Sequence, residues 1–256
     1  MRKLFLGMFV AALVTVPRVG VAQAFDFAVE HQHTFRNCRG TLSITADTIE
    51  YKTNHKEDSR SWKYVDIRQI KIDSPTSLEI VGYEDQKRML GRDRIFKFKL
   101  VQGQISQEVS ALLMANATRP VATSVLPETA GSPVFEIPVK HLHTLGGCAG
   151  VLKIYPDRVT YESSDEPSES RYWRYTDIQN FGRSSRYRFE ITTFEDKTGG
   201  PTRAFNFQLK QDFPETAYDY LWLRLNPTDY YPQQKTATQP ETPPPSRPSA
   251  ATATVL

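Results

Sequence analysis

Hydrophobic and polar residues alternate with a period of two along most of two separate stretches of the chain. Residues 41–44 and residues 95–100 are two clear examples. Such alternation is typical of β-strands, in which successive side chains face opposite sides, so Leu42 and Ile44 are expected on one face. We predict six or seven strands in each stretch, a number typical of a small sandwich or barrel.

Each stretch ends with a different pattern, in which apolar residues recur at the spacing of a helix. The first such stripe contains Ile105, Val109, Leu112 and Leu113. The second contains Tyr218, Leu221, Trp222 and Leu225. Residues at this spacing share one face of a helix, so we expect one amphipathic helix after each set of strands. Asp212, Pro214 and Glu215 mark the start of the second helix.

The two stretches repeat one another. The first copy contains His31, His33, Cys38, Gly40, Leu42, Ile44 and Tyr51. Their counterparts, 110 residues later, are His141, His143, Cys148, Gly150, Leu152, Ile154 and Tyr161. The spacing becomes 111 between Trp62 and Trp173, so the inserted residue falls in a polar loop, as expected of a duplication. We therefore predict two homologous domains, residues 25–117 and residues 134–226.

The first 24 residues have the three parts of a secretory signal peptide. A basic start at Arg2 and Lys3 precedes an apolar run over residues 4–16, and Ala22-Gln23-Ala24 has small residues at both recognition positions. We expect cleavage after Ala24 and export to the periplasm or the medium. A retained anchor is the alternative, although the apolar run is shorter than the roughly 20 residues that span a bilayer.

Two segments have a composition that does not favour a packed core. Residues 227–256 are dominated by Pro, Thr, Gln, Ala and Ser, and we predict a disordered tail. A proline-rich docking peptide is the alternative for this tail. Residues 118–133 have a similar composition, which predicts a linker between the two domains.

Removal of the signal peptide changes the charge of the chain. The full sequence has 32 Lys and Arg against 29 Asp and Glu. The signal contains Arg2, Lys3 and Arg18 and no acidic residue, so the mature chain has no net charge. Nucleic-acid binding requires a basic surface, and we therefore expect no nucleic-acid partner.

The order of these elements resembles the pleckstrin-homology superfold, and within it the GRAM-like branch. In the first copy the resemblance is carried by residues 40–44, 62–67, 78–80 and 96–98. In the second copy it is carried by residues 150–154, 173–178, 189–191 and 205–207. The resemblance implies a split β-barrel of about seven strands with one C-terminal capping helix in each copy. The H-x-H pair and the following Cys lie outside the general pattern and are similar to a group of short, uncharacterised exported bacterial proteins.

The resemblance also bears on ligands, because members of the superfold typically bind phosphoinositides, peptides or proteins. The phosphoinositide mode uses Lys and Arg in and beside the first hairpin. Arg36 and Arg39 are candidates in the first copy, whereas residues 145–149 of the second copy contain no cation. A phosphate site needs several convergent donors, so we expect no specific membrane lipid.

Aromatic residues form a second set of candidates for ligand binding. They are Trp62, Tyr64, Trp173 and Tyr175. In each copy the Trp and the Tyr are two residues apart, so on a strand they share a face that could bind a peptide or a glycan. Packing in the core is the commoner use of such residues, and it is the interpretation we favour.

The H-x-H pairs offer a candidate metal site in each copy. His31, His33 and Cys38 could supply three ligands to zinc or copper, because both imidazoles leave one face of a strand and the thiol opens the next strand. His141, His143 and Cys148 repeat the arrangement. Packing of the histidines against aromatic residues, with no cofactor, is the favoured alternative, because three ligands on two strands are a weaker signal than paired C-x-x-C motifs.

The two cysteines occupy equivalent positions, which leaves three interpretations open. Two buried free thiols are favoured, because each Cys lies two residues before a Gly at a strand start. A disulfide between Cys38 and Cys148 is the second, since the protein is expected outside the cytoplasm. Metal ligation is the third.

Local catalytic motifs are absent from the sequence, including a nucleophile elbow, a Gly-rich phosphate loop and H-E-x-x-H. We therefore predict a non-catalytic exported binding or scaffold module that recognises a protein or peptide of the cell envelope. A metal-binding protein is one alternative, and a hydrolase without a recognisable local motif is another. The sequence does not specify an oligomeric state.

Overall fold

A computed structural model of the chain describes residues 23–33, 36–55, 57–86, 89–128, 131–196 and 200–227. The predicted tail beyond residue 227 and the predicted signal peptide up to residue 22 lie outside the described residues. The described part is mostly β, with two sheets and two α-helices. This confirms the prediction of a β-rich, two-domain chain.

The first repeat forms eight strands and one α-helix. The strands are β1 (Phe25–Gln32), β2 (Cys38–Ile44), β3 (Thr48–Thr53), β4 (Arg60–Lys63), β5 (Ile67–Ser74), β6 (Ser77–Gln86), β7 (Met89–Leu100) and β8 (Val121–Thr123). The helix is α1 (Gln107–Asn116), and a 3-10 turn (Tyr64–Asp66) joins β4 to β5.

The second repeat forms seven strands and one α-helix. The strands are β9 (Phe135–Leu142), β10 (Gly147–Ile154), β11 (Arg158–Ser163), β12 (Arg171–Arg174), β13 (Ile178–Ser185), β14 (Arg188–Thr193) and β15 (Arg203–Leu209). The helix is α2 (Glu215–Leu225), and two 3-10 turns (Pro167–Glu169 and Tyr175–Asp177) flank β12.

Both sheets have the same strand order. The first is β4-β3-β2-β1-β7-β6-β5-β8, and the second is β12-β11-β10-β9-β15-β14-β13. The first strand of each repeat therefore pairs with both the second and the seventh strand. His31 lies opposite Cys38 on one side and Phe98 on the other, so the H-x-H pair is held at the end of a central strand.

Each repeat has its own hydrophobic core, built from the inward positions of the alternating strands. Leu42 and Ile44 are fully buried, as the period of two predicts. Trp62 and Phe96 belong to the same cluster. Trp173 and its neighbours form the equivalent cluster in the second repeat. The two cores explain why both copies keep the same apolar spacing.

The two helices pack against these cores. The Ser106 hydroxyl caps α1 by accepting a hydrogen bond from the Val109 amide at 3.3 Å. In α2 the buried residues are Ala217 and Leu221, whereas Trp222 is 54% exposed, so its assignment to the buried stripe was wrong. Neither described helix is long and apolar enough to cross a bilayer.

Part of the segment predicted as a linker is ordered. Strand β8 pairs in parallel with β5 and extends the first sheet, and its three residues are buried. The Arg174 guanidinium then joins the repeats, since it donates hydrogen bonds to the backbone carbonyls of Met114 (3.0 Å), Ala117 (2.8 Å) and Arg119 (3.0 Å). The repeats are therefore in direct contact.

Candidate metal centres

The first centre consists of His31, His33 and Cys38, which the β1–β2 hairpin brings together. His33 Nε2 lies 3.2 Å from Cys38 Sγ, and His31 Nδ1 lies 3.7 Å from the same sulfur. Candidate ligand atoms of all three residues lie within 4.8 Å of one another. The β1–β2 hairpin thus places the Cys38 thiol beside both histidines.

Aromatic rings enclose the first centre. His31 is 3% exposed and packs against Tyr51, Phe96 and Phe98, and the Tyr51 hydroxyl lies 3.2 Å from Cys38 Sγ. Burial, followed by the charge of the neighbouring His33, lowers the pKa of His31 to about 4. The imidazole is therefore neutral at physiological pH and retains a lone pair for a metal ion.

A glycine lets the tyrosine reach this position. A Cβ on Gly40 would lie 2.3 Å from the Lys52 carbonyl oxygen and 2.6 Å from the Tyr51 ring. Gly150 has the same relation to the Glu162 carbonyl and the Tyr161 ring. The Gly that follows each Cys thus permits a close approach of neighbouring strands.

The second centre consists of His141, His143 and Glu169. Candidate ligand atoms of these three residues lie within 4.8 Å of one another, and His141 Nδ1 lies 3.8 Å from Glu169 Oε2. His141 is 4% exposed, and its burial, followed by the charge of His143, lowers its pKa to about 4. His141 Nδ1, His143 Nε2 and Glu169 Oε2 are all buried and have no hydrogen-bond partner among the described residues.

The carboxylate in this centre is a residue that the sequence analysis missed. Glu169 is equivalent to Asp58, whose Oδ2 lies 3.7 Å from His33 Nε2. The two acids begin matching segments, Asp58-Ser59-Arg60-Ser61-Trp62 and Glu169-Ser170-Arg171-Tyr172-Trp173. An acid followed by S-R-x-W in both copies is the signal that could have identified them.

The serine in this motif holds the acid in place. Ser59 Oγ accepts a hydrogen bond from the Thr53 amide at 3.1 Å, and Ser170 Oγ accepts one from the Ser163 amide at 3.1 Å. These bonds tie the loop to the end of the preceding strand. The carboxylate one residue earlier is thereby fixed beside the histidines.

Arginine and glutamate side chains surround the first centre. Arg60 Nε lies 3.2 Å from Glu84 Oε1, and Arg94 Nη1 lies 3.6 Å from Glu84 Oε2. Arg94 also lies 3.5 Å from Asp58 Oδ1 and stacks over the Phe96 ring. The Asp58 carboxylate is thus held by a cation as well as facing His33.

The same positions surround the second centre. The Trp173 indole donates a hydrogen bond to Glu195 Oε1 at 2.8 Å, while Arg203 Nη1 lies 3.9 Å from Glu195 Oε2. Burial raises the pKa of Glu195. Arg171 is buried and donates to the backbone carbonyls of Ser168 and Ser170. Burial lowers the pKa of Arg171, while the nearby negative charges of Glu195 and Glu169 oppose that shift.

The separations between donor atoms suit a small metal ion. Around tetrahedral zinc, a nitrogen and a sulfur ligand are about 3.6 Å apart, and two nitrogen or oxygen ligands about 3.4 Å apart. The distances of 3.2 and 3.7 Å from Cys38 to its two histidines bracket the first value. The distance of 3.8 Å between His141 and Glu169 is close to the second.

The first centre does not have the geometry of a nucleophilic triad. Cys38 and Asp58 both approach Nε2 of His33. In a Cys-His-Asp triad the acid must hold the ring nitrogen that does not face the thiol. The arrangement therefore suits coordination of an ion between the side chains better than proton transfer.

The aromatic candidates are placed in or near the cores. Trp62, Tyr64 and Trp173 are buried, and Tyr175 is half-buried. Tyr64 lies in a 3-10 turn and not on the strand with Trp62, and its hydroxyl donates to the Thr45 carbonyl at 2.7 Å. The burial of these side chains agrees with the interpretation that they pack in the cores. These four residues therefore do not form a shared aromatic surface for a ligand.

The basic candidates in the first hairpin are exposed. Arg36 lies on the surface, and Arg39 is 80% exposed at its side chain with Glu30 at 4.0 Å. Neither arginine belongs to the first centre. The structure therefore does not bring the two cations together with the histidines.

The two cysteines are free thiols, so the disulfide that one interpretation predicts is not formed. Cys38 is buried, as the favoured interpretation expects, but Cys148 is only half-buried. Cys148 is also not a member of the second centre, where Glu169 takes the third position.

No protein-family model matches the sequence, and no curated protein matches it. One similar solved structure is the C-terminal domain of an unknown protein from Leishmania infantum, with 16% identity, a TM-score of 0.30, and coverage of 37% of this chain and 84% of that one. Another is the Spt16D Pob3N heterodimer, with 10% identity, a TM-score of 0.28, and coverage of 67% and 84%. Neither likeness bears on the function of this chain.

Proposed function

We propose that this protein binds metal ions at two homologous centres, and that the ion is zinc. The observation that carries the proposal is the second centre, where three buried polar atoms face one another without a hydrogen-bond partner among the described residues. They are His141 Nδ1, His143 Nε2 and Glu169 Oε2. One cation between them would satisfy all three at once.

Energetics favour this explanation over an empty cluster. A buried polar group without a partner lowers the free energy of unfolding by about 1–3 kcal/mol. Three such groups together would remove a large part of the stability of a small domain. Neutral imidazole is the form that ligates metals, and burial keeps His141 neutral. The Glu169 carboxylate supplies the negative charge that a cation needs.

The donor types favour zinc. The first centre offers two imidazoles and a thiol, and the second offers two imidazoles and a carboxylate. Zinc accepts nitrogen, sulfur and oxygen ligands with little geometric preference, so one ion serves both sets. A site without thiolate is less suited to Cu(I), which selects soft ligands. Binding at the first centre would release the thiol proton of Cys38.

Elemental analysis of protein purified without chelator, loaded with zinc and dialysed, tests this proposal. We expect about two zinc ions per chain, falling to about one in His33→Ala and in His143→Ala, and to none in the double variant. His55→Ala is the matched control, because His55 is the only histidine outside both centres. Fewer than about 0.2 ions per wild-type chain would contradict the proposal, since it predicts occupied sites.

The second part of the proposal concerns the fold of each repeat. A first strand that pairs with both the second and the seventh strand, followed by one helix, supports a PH-like barrel in each repeat. Export, recognition of an envelope protein or peptide, and the alternative of a hydrolase without a local motif stay predictions. Metal centres of this kind are compatible with each of them.

A further inference from the structure

We propose that the second centre leaves one coordination position free of protein side chains, and that this position takes an anionic ligand, a carboxylate or a phosphate. The inference rests on the proposed function, because the zinc ion is what the anion would bind.

The two centres differ in the groups beside their paired histidines, because the first has the Cys38 thiol with Asp58 nearby and the second has, among the described residues, only the Glu169 carboxylate. In the first centre, Cys38 Sγ contacts both histidines, and Asp58 Oδ2 also lies 3.7 Å from His33 Nε2. In the second, Cys148 is not a member, so the protein supplies two imidazoles and one carboxylate. Zinc sites with three protein ligands typically keep the fourth position for water or substrate.

An open depression adjoins the second centre. Its volume is about 490 Å³, and His141 and His143 form part of its wall. Arg188, Arg203 and Asn206 line the rest, together with Leu142, Thr144 and Ala204. The charged lining residues of this depression are thus two guanidinium groups and no carboxylate, which favours an anion.

The charge balance points to the same ligand. Arg171 and Arg203 beside the second centre are matched by Glu169 and Glu195, so a divalent ion adds an unmatched charge of about +2. At the first centre, Arg60 and Arg94 are matched by Asp58 and Glu84, and the Cys38 thiolate cancels one charge of the ion. The second centre therefore has the greater excess of positive charge once zinc is bound.

The hairpins next to the centres differ in a way that gives a ligand access. In the first, the Asn37 side chain accepts from the His33 amide at 3.2 Å and donates to Glu30 at 2.6 Å. The equivalent residue in the second is Gly147, where a Cβ would lie 2.3 Å from the His141 carbonyl oxygen. The second hairpin therefore has no side chain at the position where Asn37 bonds to the His33 amide.

Calorimetric titration of the full-length His33→Ala variant isolates the second centre. Zinc content is measured first, and the zinc-loaded and metal-free forms are then titrated with inorganic phosphate in one arm and acetate in another. We expect at least one of the two anions to bind the zinc form about tenfold or more tighter than the metal-free form. The arm that responds distinguishes phosphate from carboxylate. The Cys38→Ser variant disables the first centre through a different ligand. The same titrations are repeated in this variant.

Arginine variants in the same background test the role of the depression. Arg188→Gln should weaken anion binding about tenfold with zinc content unchanged, whereas Arg186→Gln should change neither. Arg186 is the matched control because it is exposed and pairs with Asp212 outside the depression. Retention of zinc without anion binding, or equal binding by the metal-free form, would overturn the inference and leave the proposed function intact. Absence of zinc from both first-centre variants would contradict the proposed function itself.

Discussion

His31 and His141 occupy equivalent positions at the end of a central strand, and both are almost fully buried. Their rings lie against Phe98 and Phe207, at centroid distances of 5.1 and 5.4 Å. Burial is the main cause that lowers the pKa of each imidazole from 6.5 to about 4. Metal ligands of this kind are ready to bind at neutral pH without first losing a proton.

The lowered pKa values of His31 and His141 should make the stability of the metal-free protein depend on pH. The unfolded chain takes up protons on these histidines below about pH 6.5, whereas the folded chain does so only near pH 4. The unfolded state then binds more protons, so the free energy of unfolding should fall as the pH is lowered from 6.5 towards 4. Urea denaturation of chelator-treated protein at several pH values measures this.

Charged groups near the two histidines change how far their pKa values are lowered, but both pKa values stay below that of a free imidazole. Asp58 raises the pKa of His31, while Arg60 and Arg94 lower it, and Arg171 and Arg203 lower that of His141. The variant His31→Gln/His141→Gln should have a shallower decline over the same range. A decline of equal steepness in the double variant would show that other groups cause the acid sensitivity.

At the scale of the elements, both centres depend on how closely neighbouring strands approach. Gly150 lies under the Tyr161 ring, and the Tyr161 hydroxyl donates to the Cys148 carbonyl at 2.7 Å. This contact joins β10 to β11 at the strand start that follows the second H-x-H pair. The glycine therefore matters for the shape of the hairpin as well as for stability.

A methyl group at this glycine should be poorly tolerated. In Gly150→Ala the new Cβ would lie 2.3 Å from the Glu162 carbonyl oxygen, which is backbone and has little freedom to move. We expect a loss of about 1–3 kcal/mol in the free energy of unfolding, measured by urea denaturation. Gly182→Ala is the control, since its Cβ meets nothing within 4 Å, and it should change stability by less than about 0.5 kcal/mol. Equal effects of the two substitutions would contradict the packing argument.

Sequence patterns predicted the hairpins better than the loops. The period of two predicted that both histidines leave one face of β1 and that Cys38 opens the next strand, and the strand register then places His31 opposite Cys38. Glu169 was missed because a loop has no period, and its approach to His141 depends on how the chain returns after β11. Strand β8 was missed because three apolar or small residues between polar and proline-rich neighbours are too few for a strand pattern.

At the scale of the whole molecule, the two repeats are in contact through Arg174. Its guanidinium donates to three backbone carbonyls at and beyond the C-terminus of α1 and is held by Asp177 at 2.8 Å. Tyr172 of β12 packs against the core of the first repeat. Together with β8, these contacts connect the domains directly.

Removal of this arginine should weaken the coupling between the repeats. Arg174→Ala loses three charge-assisted hydrogen bonds at a half-buried position, and we expect a loss of about 2 kcal/mol and a broadened or split thermal transition in calorimetry. Lys63→Ala is the control, because Lys63 is the equivalent residue of the first repeat and is exposed. An unchanged single transition in Arg174→Ala would mean that other contacts hold the repeats together.

Anomalous diffraction at the zinc absorption edge, from crystals of the zinc-loaded protein, tests the central claim most directly. We expect a peak about 2.0–2.2 Å from His141 Nδ1, His143 Nε2 and Glu169 Oε2. A map without a peak at that position, with ordinary water between the same three atoms, would contradict the claim that the second centre binds zinc.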